Sequence, residues 1–574
     1  MRDIRRMAWV SCLLCLLFGI VWGCAPPTAP PGPPVATEPP GPSVVTTPAQ
    51  EGISVPGPTL SEARLEMIQR ECMDRSNRGR AEQAKIPEGK ELVYPPFLGL
   101  IYIEDQVIVS GSSKDIDALF TRIPDLALEQ LATIELDAET SISQFQIGNG
   151  KTVEQVVCEI NEISAETRST IFADPNYHIS PAGWDGAGSP WTQNGQWTGL
   201  PGGGLAGAPA TDFRTQWALG DAGIKLFDNT GNRLIEFKGD GIRIAVFDSS
   251  PFEEVGGNDK CVGCFRFHEL MGDVFGDSIA AEPPLTVWHY TPASAPTCPG
   301  PDRKDAGLDR ETQDISNHGL FVAGLAHAIA PHSEIQLIRV LEKDGCGDLF
   351  TIERAIDAFV NETLEEGGNT LHGTVLNLSL GVHQPECPTR FGLPEEVKSL
   401  QLAVQKAVDH GGVVVAAAGN DSADEQGNRI LPPLSMEIPA DETAVIGVAA
   451  SNIKRARGCF SNAGDVAAPG GDGDQPCRIP ACGPEHPEAC LISVARNSAT
   501  RYVYWVGTSF ATPLVSGLAA LTLQESDLRG CNLSPAQVAH AIYAGAANPV
   551  GSPFLGAGVV NLPGTLLPAN VCPP

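Results

Sequence analysis

The chain has 574 residues, too many for one hydrophobic core, because single domains usually hold about 50–250 residues. Acidic residues outnumber basic ones, 69 against 38, and the net charge of −31 argues against the clustered cations that nucleic-acid phosphates require. We interpret the acidity as a solvated surface that keeps an exported protein soluble.

Residues 1–23 have the pattern of a signal peptide. Three arginines precede an apolar run over Met7–Trp22, about 16 residues long and so shorter than the roughly 20 that span a membrane. Gly23-Cys24 then looks like a bacterial lipobox, which predicts lipidation of Cys24, although Trp22 stands where a small residue is usual. A plain signal cut near the same place is the alternative. Both interpretations predict an exported protein, extracellular or at the cell surface, and lipidation adds a membrane anchor.

Residues 24–59 are predicted to be a tether. Proline and glycine are dense there and charge is almost absent, a composition that builds no core. After a lipidated cysteine, such a tether would hold the rest of the chain away from the membrane. Residues 60–99 follow as a segment of unassigned role that contains a predicted helix over 60–85, in which Leu65, Ile68 and Cys72 share one face.

Residues 100–180 are predicted to form a small α+β module. Strand-like and amphipathic helical segments alternate in the order β-α-β-β-α-β, typical of a ferredoxin-like fold, with one strand that the pattern does not locate. The located segments are Gln106–Val109, Ser112–Ile123, Ser143–Ile147, Thr152–Ile163 and Thr170–Ile179. Residues 181–212 are rich in Gly, Pro and Trp and have neither the apolar periodicity of a helix nor that of a strand. They are predicted to be a linker with a processing site.

Residues 213–574 are predicted to be a doubly wound α/β domain with a parallel sheet. Short apolar runs of the buried kind alternate with helical patterns, and in such sheets the active site lies beyond the carboxyl ends of the strands. The apolar runs are Ile242–Phe247, Ile335–Val340, Val375–Leu378, Val413–Ala417 and Ala444–Val448.

The cysteines are expected to form disulfides. Three of the 16 (Cys12, Cys15, Cys24) lie in the signal segment, which leaves 13, so at least one stays free or pairs between chains. Cys261-x-x-Cys264 resembles half of a zinc site, but no second pair completes a tetrahedral set. Disulfides in an exported protein are therefore the preferred interpretation.

Two residues suggest an acid–base pair. Asp248 directly follows an apolar run, where a carboxylate can be partly buried and still reach a histidine, although an aspartate after a strand is more often a helix cap. His318 opens an alanine-rich helix with Gly319 and Gly324 on a thin face, so that it can pack closely and hold the imidazole rigidly, as a general base requires. The alternative for His318 is an ordinary surface histidine.

Ser509 lies at or near the start of a predicted helix. Backbone amides point outward there and the helix dipole favours negative charge, which would stabilise an oxyanion beside an attacking hydroxyl. For a lone serine, a simple helix cap would be the alternative.

The motifs around these residues resemble those of the subtilisin-like serine proteases. They are Gly507-Thr-Ser-Phe-Ala-Thr-Pro513 and His318-Gly-x-x-Val-Ala-Gly324, in the chain order Asp, His, Ser. Further matches are Leu376–Gly381, Val414–Asn420, Cys459–Gly464 and Ala467–Gly470. The resemblance covers about residues 213–564, interrupted by insertions.

The resemblance implies a serine endopeptidase with Asp248, His318 and Ser509 as catalytic triad and Asn420 as oxyanion-hole donor. It also implies a primary specificity pocket, whose small and uncharged walls predict an apolar substrate side chain before the scissile bond. The substrate-binding residues implied are Ser379, Leu380, Gly381, Ala416, Ala417, Ala418 and Gly419.

Partners and cofactors follow from the same resemblance. Protein or peptide substrates are expected, and no cofactor is required; structural calcium is common in the family, but no ligand set is identifiable and no metal site is predicted. Residues 100–180 resemble the family's propeptide, a folding chaperone and intramolecular inhibitor. The chain would therefore be made as a zymogen and autoprocessed within the linker.

Two positions depart from the family pattern and keep a second interpretation open. Ser250 stands where the family usually has glycine, and Leu320 where it prefers serine or threonine. A catalytically inactive surface binding protein on the same scaffold is therefore the alternative. An esterase of the α/β-hydrolase type is disfavoured, because that fold runs Ser, Asp, His and has a G-x-S-x-G elbow.

Overall fold

The computed structural model describes residues 61–83, 102–181, 207–290 and 315–572, apart from short gaps. The gaps are 124–125, 149, 209, 229–231, 273–282, 344, 368, 383–392, 395, 424–428, 472–485, 497–499, 549–550 and 567–570. The predicted signal peptide, tether and Cys24, and most of the predicted linker, lie outside the described residues. Within the described ranges, no helix combines the length and apolar character that crossing a bilayer requires.

The N-terminal part is the expected α+β module, preceded by helix α1 (Glu62–Gln83). Its elements follow in the order β-α-β-β-α-β, and strands β4, β1, β3 and β2 are neighbours in one antiparallel sheet. The unlocated strand is β2, whose side chains are mostly exposed, so it lacks the apolar alternation by which strands are recognised. The module elements are β1 (Tyr102–Ser112), α2 (Ser113–Arg122), β2 (Leu128–Glu135), β3 (Thr140–Ile147), α3 (Val153–Thr167) and β4 (Phe172–Pro181).

The C-terminal part is built on an eight-stranded sheet in the order β15-β14-β13-β11-β6-β9-β8-β7. All neighbouring strands are parallel except β7 and β8, which form an antiparallel edge. The strands are β6 (Arg243–Asp248), β7 (Lys260–Phe265), β8 (Leu285–His289), β9 (Glu334–Arg339), β11 (Thr374–Leu378), β13 (Val413–Ala417), β14 (Val445–Ser451) and β15 (Val466–Pro469). The predicted doubly wound sheet is confirmed, and β7 and β8 extend it.

Helices cover both faces of this sheet. Along β6, Ile244 and Val246 belong to one apolar core, whereas Ala245 and Phe247 belong to another. This alternation is the two-sided burial that produces continuous apolar runs in parallel strands. The helices and remaining short elements are α4 (Ala210–Thr215), α5 (Phe267–Met271), α6 (His318–Ile329), α7 (Leu349–Gly367), α8 (Lys398–Asp409), α9 (Thr508–Arg529), α10 (Pro535–Gly545), α11 (Leu562–Thr565), β5 (Gly207–Ala208), β10 (Gly347–Asp348), β12 (Leu380–Val382), β16 (Leu491–Val494) and β17 (Tyr502–Trp505).

The module docks on the C-terminal part through its last strand. Strand β4 pairs antiparallel with β10 on one side and with β12 on the other. The second apolar core is continuous across this boundary, since it includes Ile179 of β4 together with Leu380 of β12. The end of the module is therefore an integral strand of the fold.

Disulfides connect several of these elements. Cys261 and Cys264 bond to each other, which confirms the disulfide interpretation over a zinc site, and Cys531 bonds to Cys572. Cys72 of α1 bonds to Cys158 of α3, so the helix at 62–83 is covalently tied to the module. Cys346, Cys459 and Cys490 are disulfide-bonded as well.

Candidate active site

Three neighbouring strands deliver the candidate site to one edge of the sheet. Strands β6, β11 and β13 lie side by side and run parallel, so their carboxyl ends coincide. Asp248 is the last residue of β6, Ser379 follows β11, and Asn420 lies three residues beyond β13. The edge predicted from the strand pattern is thus where these side chains gather.

Asp248 and His318 form a buried hydrogen-bonded pair. The imidazole Nδ1 of His318 lies 2.8 and 2.9 Å from the two carboxylate oxygens of Asp248. Asp248 is fully buried and His318 is 3% exposed. The backbone amide of Ser249 donates to the same carboxylate at 2.7 Å, which fixes its orientation. A carboxylate bonded at Nδ1 favours the tautomer that leaves Nε2 as the acceptor, the form a general base needs.

Gly319 explains how the start of α6 comes this close to β6. A Cβ on Gly319 would overlap the carbonyl oxygen of Ser249 and lie 2.8 Å from the Cβ of Asp248. Since real Cβ atoms essentially never approach so closely, only glycine fits at this position. Leu320, which departs from the family pattern, is fully buried in the apolar core and leaves the His318–Asp248 pair intact.

Ser509 lies in the first turn of α9, and aromatic residues before and after it in the chain lie against the imidazole of His318. The ring of Phe510, the following residue, lies 5.0 Å from that of His318, and the ring of Trp505 lies 5.4 Å from it. The hydroxyl of Ser509 donates to the carbonyl of Ser379 at 3.3 Å, so in this conformation it is directed there and away from His318. Hydrogen bonds between nucleophile and base are often loose before substrate binds.

Asn420 is held by the start of the same helix. Its side-chain Oδ1 accepts hydrogen bonds from the backbone amide of Thr508 at 2.9 Å and from the Thr508 hydroxyl at 3.0 Å. Because a backbone amide can only donate, this contact assigns Oδ1 to the Thr508 side and leaves Nδ2 as donor. A Cβ on Gly507 would lie 3.6 Å from that Nδ2, which places the donor beside the loop before Ser509.

The predicted substrate-binding residues form two segments in the same region. Ser379, Leu380 and Gly381 lie on or just before β12. Ala416 and Ala417 end β13, and Ala418 and Gly419 follow it. The first segment is joined to the candidate nucleophile, since the hydroxyl of Ser379 donates to the carbonyl of Ser509 at 2.8 Å. The second is joined to the preceding residue, since the amide of Gly419 donates to the hydroxyl of Thr508 at 3.3 Å. Strand β4 pairs antiparallel with β12, so the module covers this predicted binding strand.

Sequence reasoning missed a carboxylate between these two segments. The side chain of Glu437 lies against Gly381 and Gly419, where either glycine's Cβ would overlap or crowd its carboxyl group. No sequence motif identifies this residue, because it lies in the loop between β13 and β14 and is brought to the site only when the chain folds.

The second departure from the family pattern, Ser250, contacts the end of strand β8. Its hydroxyl lies 3.0 Å from Nε2 of His289, the last residue of β8, and accepts from the amide of Phe252. Burial lowers the pKa of His289 to about 4, so the imidazole stays neutral at physiological pH. Ser249 donates its hydroxyl to the carbonyl of Ile315 at 2.9 Å. The loop after Asp248 is thus held by hydrogen bonds to His289 and to the carbonyl of Ile315.

The described residues contain no group of three or more His, Cys, Asp or Glu side chains placed to hold a metal ion. That no cofactor is required, and that the chain has no metal site, both remain predictions.

Fold and site together define a doubly wound α/β protein with aspartate, histidine and serine brought to one sheet edge. The subtilase family model matches residues 240–558, more than half of the chain. The chain therefore belongs to the subtilase family.

Several named proteins are similar to parts of this chain. A thermophilic serine proteinase of Bacillus sp. (strain AK1) is 33% identical over 226 residues, which are 37% of this chain and 44% of the relative. Subtilisin of Bacillus pumilus is 30% identical over 226 residues, 37% of this chain and 65% of the relative. The chain thus matches about half the length of these relatives. The solved structure of fervidolysin from Fervidobacterium pennivorans has 19% identity and a TM-score of 0.47, covering 81% of this chain and 61% of that one.

Proposed function

We propose that this protein is a serine endopeptidase that acts through an acyl-enzyme formed on Ser509. The observation that carries the proposal is the buried Asp248–His318 pair, whose imidazole packs 5.0 Å from the ring of Phe510, the residue that follows Ser509 in the first turn of α9. His318 takes the hydroxyl proton of Ser509 as the oxygen attacks a peptide carbonyl, and then gives that proton to the leaving amine. Asp248 holds the imidazole tautomer and stabilises the imidazolium that forms in between.

Two donors stabilise the oxyanion of the tetrahedral intermediate. The side-chain amide of Asn420 is one, since its Oδ1 is already committed to Thr508. The backbone amide of Ser509 is the other, because amides in the first turn of a helix have no partner within the helix. Both lie where the helix dipole favours negative charge.

The substrates proposed are proteins and peptides, bound as an added strand. Strand β4 provides the pattern for this binding mode, since its residues Ile179, Ser180 and Pro181 pair with Val382, Gly381 and Leu380. Main-chain pairing of this kind holds any extended peptide, and side-chain pockets then select among sequences.

We propose further that residues 100–180 are an inhibitory propeptide and that the chain is a zymogen. Strand β4 occupies β12 and leads toward the nucleophile, because Pro181 pairs with Leu380 and the preceding residue, Ser379, accepts the hydroxyl of Ser509. The predicted processing segment begins directly after Pro181. We therefore expect the first cut near the start of residues 181–212.

This arrangement bears on the proposed lipid anchor. Cys24 precedes the processing segment, and α1 is bonded to the module through Cys72 and Cys158. A lipid on Cys24 would therefore hold the propeptide at the membrane and leave the catalytic part free after processing. The proposed location is accordingly extracellular or at the cell surface, with an anchor that belongs to the inhibitor.

The test compares the exported wild-type protein with Ser509→Ala. The wild type is expected to shorten, to react with a fluorophosphonate probe, and to release its catalytic part while the propeptide stays with the membrane fraction. Ser509→Ala should stay full length and unlabelled. Equal behaviour of the two proteins would refute the protease and favour a binding protein on the same scaffold.

A further inference from the structure

A carboxylate occupies the space between the two walls of the substrate-binding region. A Cβ on Gly381 would overlap Oε2 of Glu437, and a Cβ on Gly419 would lie 2.7 Å from its Oε1. One oxygen therefore faces β12 and the other faces the segment that follows β13. Glycine at both positions leaves room for the carboxyl group to reach this far.

The backbone holds Glu437 at this place. Its amide donates to the carbonyl of Ala418 at 3.0 Å, and the carbonyl of the next residue, Ile438, accepts from the amide of Val382 at 2.9 Å. Residues 437–438 thus bridge the two wall segments directly. The position of the carboxylate follows from this bridge and needs no rearrangement to form.

The predicted wall residues carry no charge of their own, since they are alanine, glycine, leucine and serine. Glu437 is partly buried, and a carboxylate removed from water is stabilised by a cation that pairs with it. A second carboxylate, Asp421, is partly buried just after Asn420, where it accepts from Nδ2 of Asn462. Glu437 and Asp421 thus supply two carboxylates in this region, and these favour a positively charged substrate side chain over a neutral one.

We propose that Glu437 selects substrates with lysine or arginine immediately before the scissile bond. The inference rests on the proposed endopeptidase activity and assigns its substrate class. It replaces the expectation of an apolar side chain, which came from wall residues alone. In this role Glu437 is a specificity residue: it binds the substrate side chain and takes no part in bond breaking.

The protein's own processing segment contains no basic residue that Glu437 could bind, since residues 182–206 include no lysine or arginine. That cut is intramolecular, however, and strand pairing with β12 already aligns the chain, so a high effective concentration replaces side-chain selection. Selection by Glu437 applies to substrates that arrive from solution.

The experiment measures kcat/KM of the processed enzyme on peptides identical except for the residue before the scissile bond: Arg, Lys, Leu, Phe or Ala. The wild type should prefer Arg and Lys over Leu by at least about tenfold. Glu437→Gln keeps the shape and removes the charge, and should lose on the order of 30-fold on the Arg and Lys peptides. Its activity on the Leu peptide should stay within about threefold.

Glu442→Gln is the matched control, because it removes the same charge five residues away. Its carboxylate accepts from Nε2 of Gln401, outside the two wall segments. This variant should keep the wild-type preference. A wild type that favours Leu, Phe or Ala, or a Glu437→Gln variant with undiminished preference for Arg, would overturn the inference.

Fluorophosphonate labelling separates this inference from the one it rests on. Labelling at Ser509 is independent of the residue before the scissile bond. An enzyme that is labelled but does not prefer lysine or arginine would refute the role of Glu437 and leave the proposed endopeptidase activity standing. A wild type that is neither labelled nor active on any peptide removes the proposed endopeptidase and the inference together.

Discussion

The carboxylate of Asp174, in the last strand of the module, accepts a hydrogen bond of 2.9 Å from the backbone amide of Ser399 in α8. Asp174 is fully buried. It thus caps the start of a helix that belongs to the other part of the chain. Asn176, two residues on, does the same for α7, since its Oδ1 accepts from the amide of Phe350 at 3.1 Å.

Three buried carboxyl groups meet at this boundary. Burial raises the pKa of Asp174 to about 7, and burial also raises the pKa of Asp348 and, well above its ordinary value, that of Glu353. The charges of Asp174 and Asp348 raise the pKa of Glu353 further. Lys398 near Asp174 and Arg354 near Asp348 act in the opposite direction, but burial remains the largest cause.

Docking of the module should therefore weaken as the pH rises. The pKa of each carboxyl is higher in the docked state than its ordinary value of about 4, so the docked state binds the protons more tightly. The favourable contribution is complete below pH about 4 and is lost as the pH rises through about 7. The proposed inhibitor would accordingly stay bound in acid and leave at neutral to alkaline pH.

Gel filtration of the processed protein between pH 5 and pH 8 measures this effect. We expect one complex at pH 5 and two separate species at pH 8. Asp174→Asn mimics the protonated acid and should reduce the dependence of retention on pH in this range, while Asp348 and Glu353 keep their contribution. Identical dissociation at every pH in the wild type would contradict the role of these carboxyl groups.

Replacing Asn420 tests the proposed oxyanion hole. Asn420→Ala removes one of two donors and should lower kcat by about 10²–10³-fold with little change in KM, since the interaction forms only with the developing oxyanion. Because the side chain also accepts from Thr508, thermal unfolding of the variant serves as its control. A loss of less than tenfold, with the protein still folded, would assign the oxyanion to other donors.

The sequence identifies groups that act through local motifs. Ser509 and His318 each lie in a heptapeptide that resembles a family motif, and Asp248 ends a buried strand in the matching chain order. The resemblance therefore implies all three residues, whereas apolar periodicity predicts the parallel sheet. Docking of β4 on β12 and the position of Glu437 depend instead on contacts between segments about 200 and 56 residues apart in the chain. No short-range pattern records such contacts. Strand β2 escapes prediction for a different reason, because apolar and polar residues do not alternate along this mostly exposed strand.

The disulfide between Cys72 and Cys158 should contribute more to stability than the one between Cys261 and Cys264. The first closes a separation of 86 residues and the second a separation of 3. In the chain-entropy account, a cross-link stabilises by restricting the unfolded chain, and a closure of this length contributes about 4–5 kcal/mol. Replacing both Cys72 and Cys158 by alanine should therefore destabilise the module markedly, whereas replacing Cys261 and Cys264 should cost much less.

Denaturant unfolding of the two double variants in the Ser509→Ala background, where the chain stays intact, measures the difference. The Cys72/Cys158 variant should also expose α1 to limited proteolysis, because the contacts that remain between α1 and α3 include the partly solvated ion pair of Arg75 with Glu162, and such pairs contribute little. An equal loss of unfolding free energy in both double variants would show that loop length does not determine how much each disulfide stabilises the protein. The contribution of the Cys72–Cys158 disulfide would then come mainly from native-state packing around Cys72, which is almost fully buried.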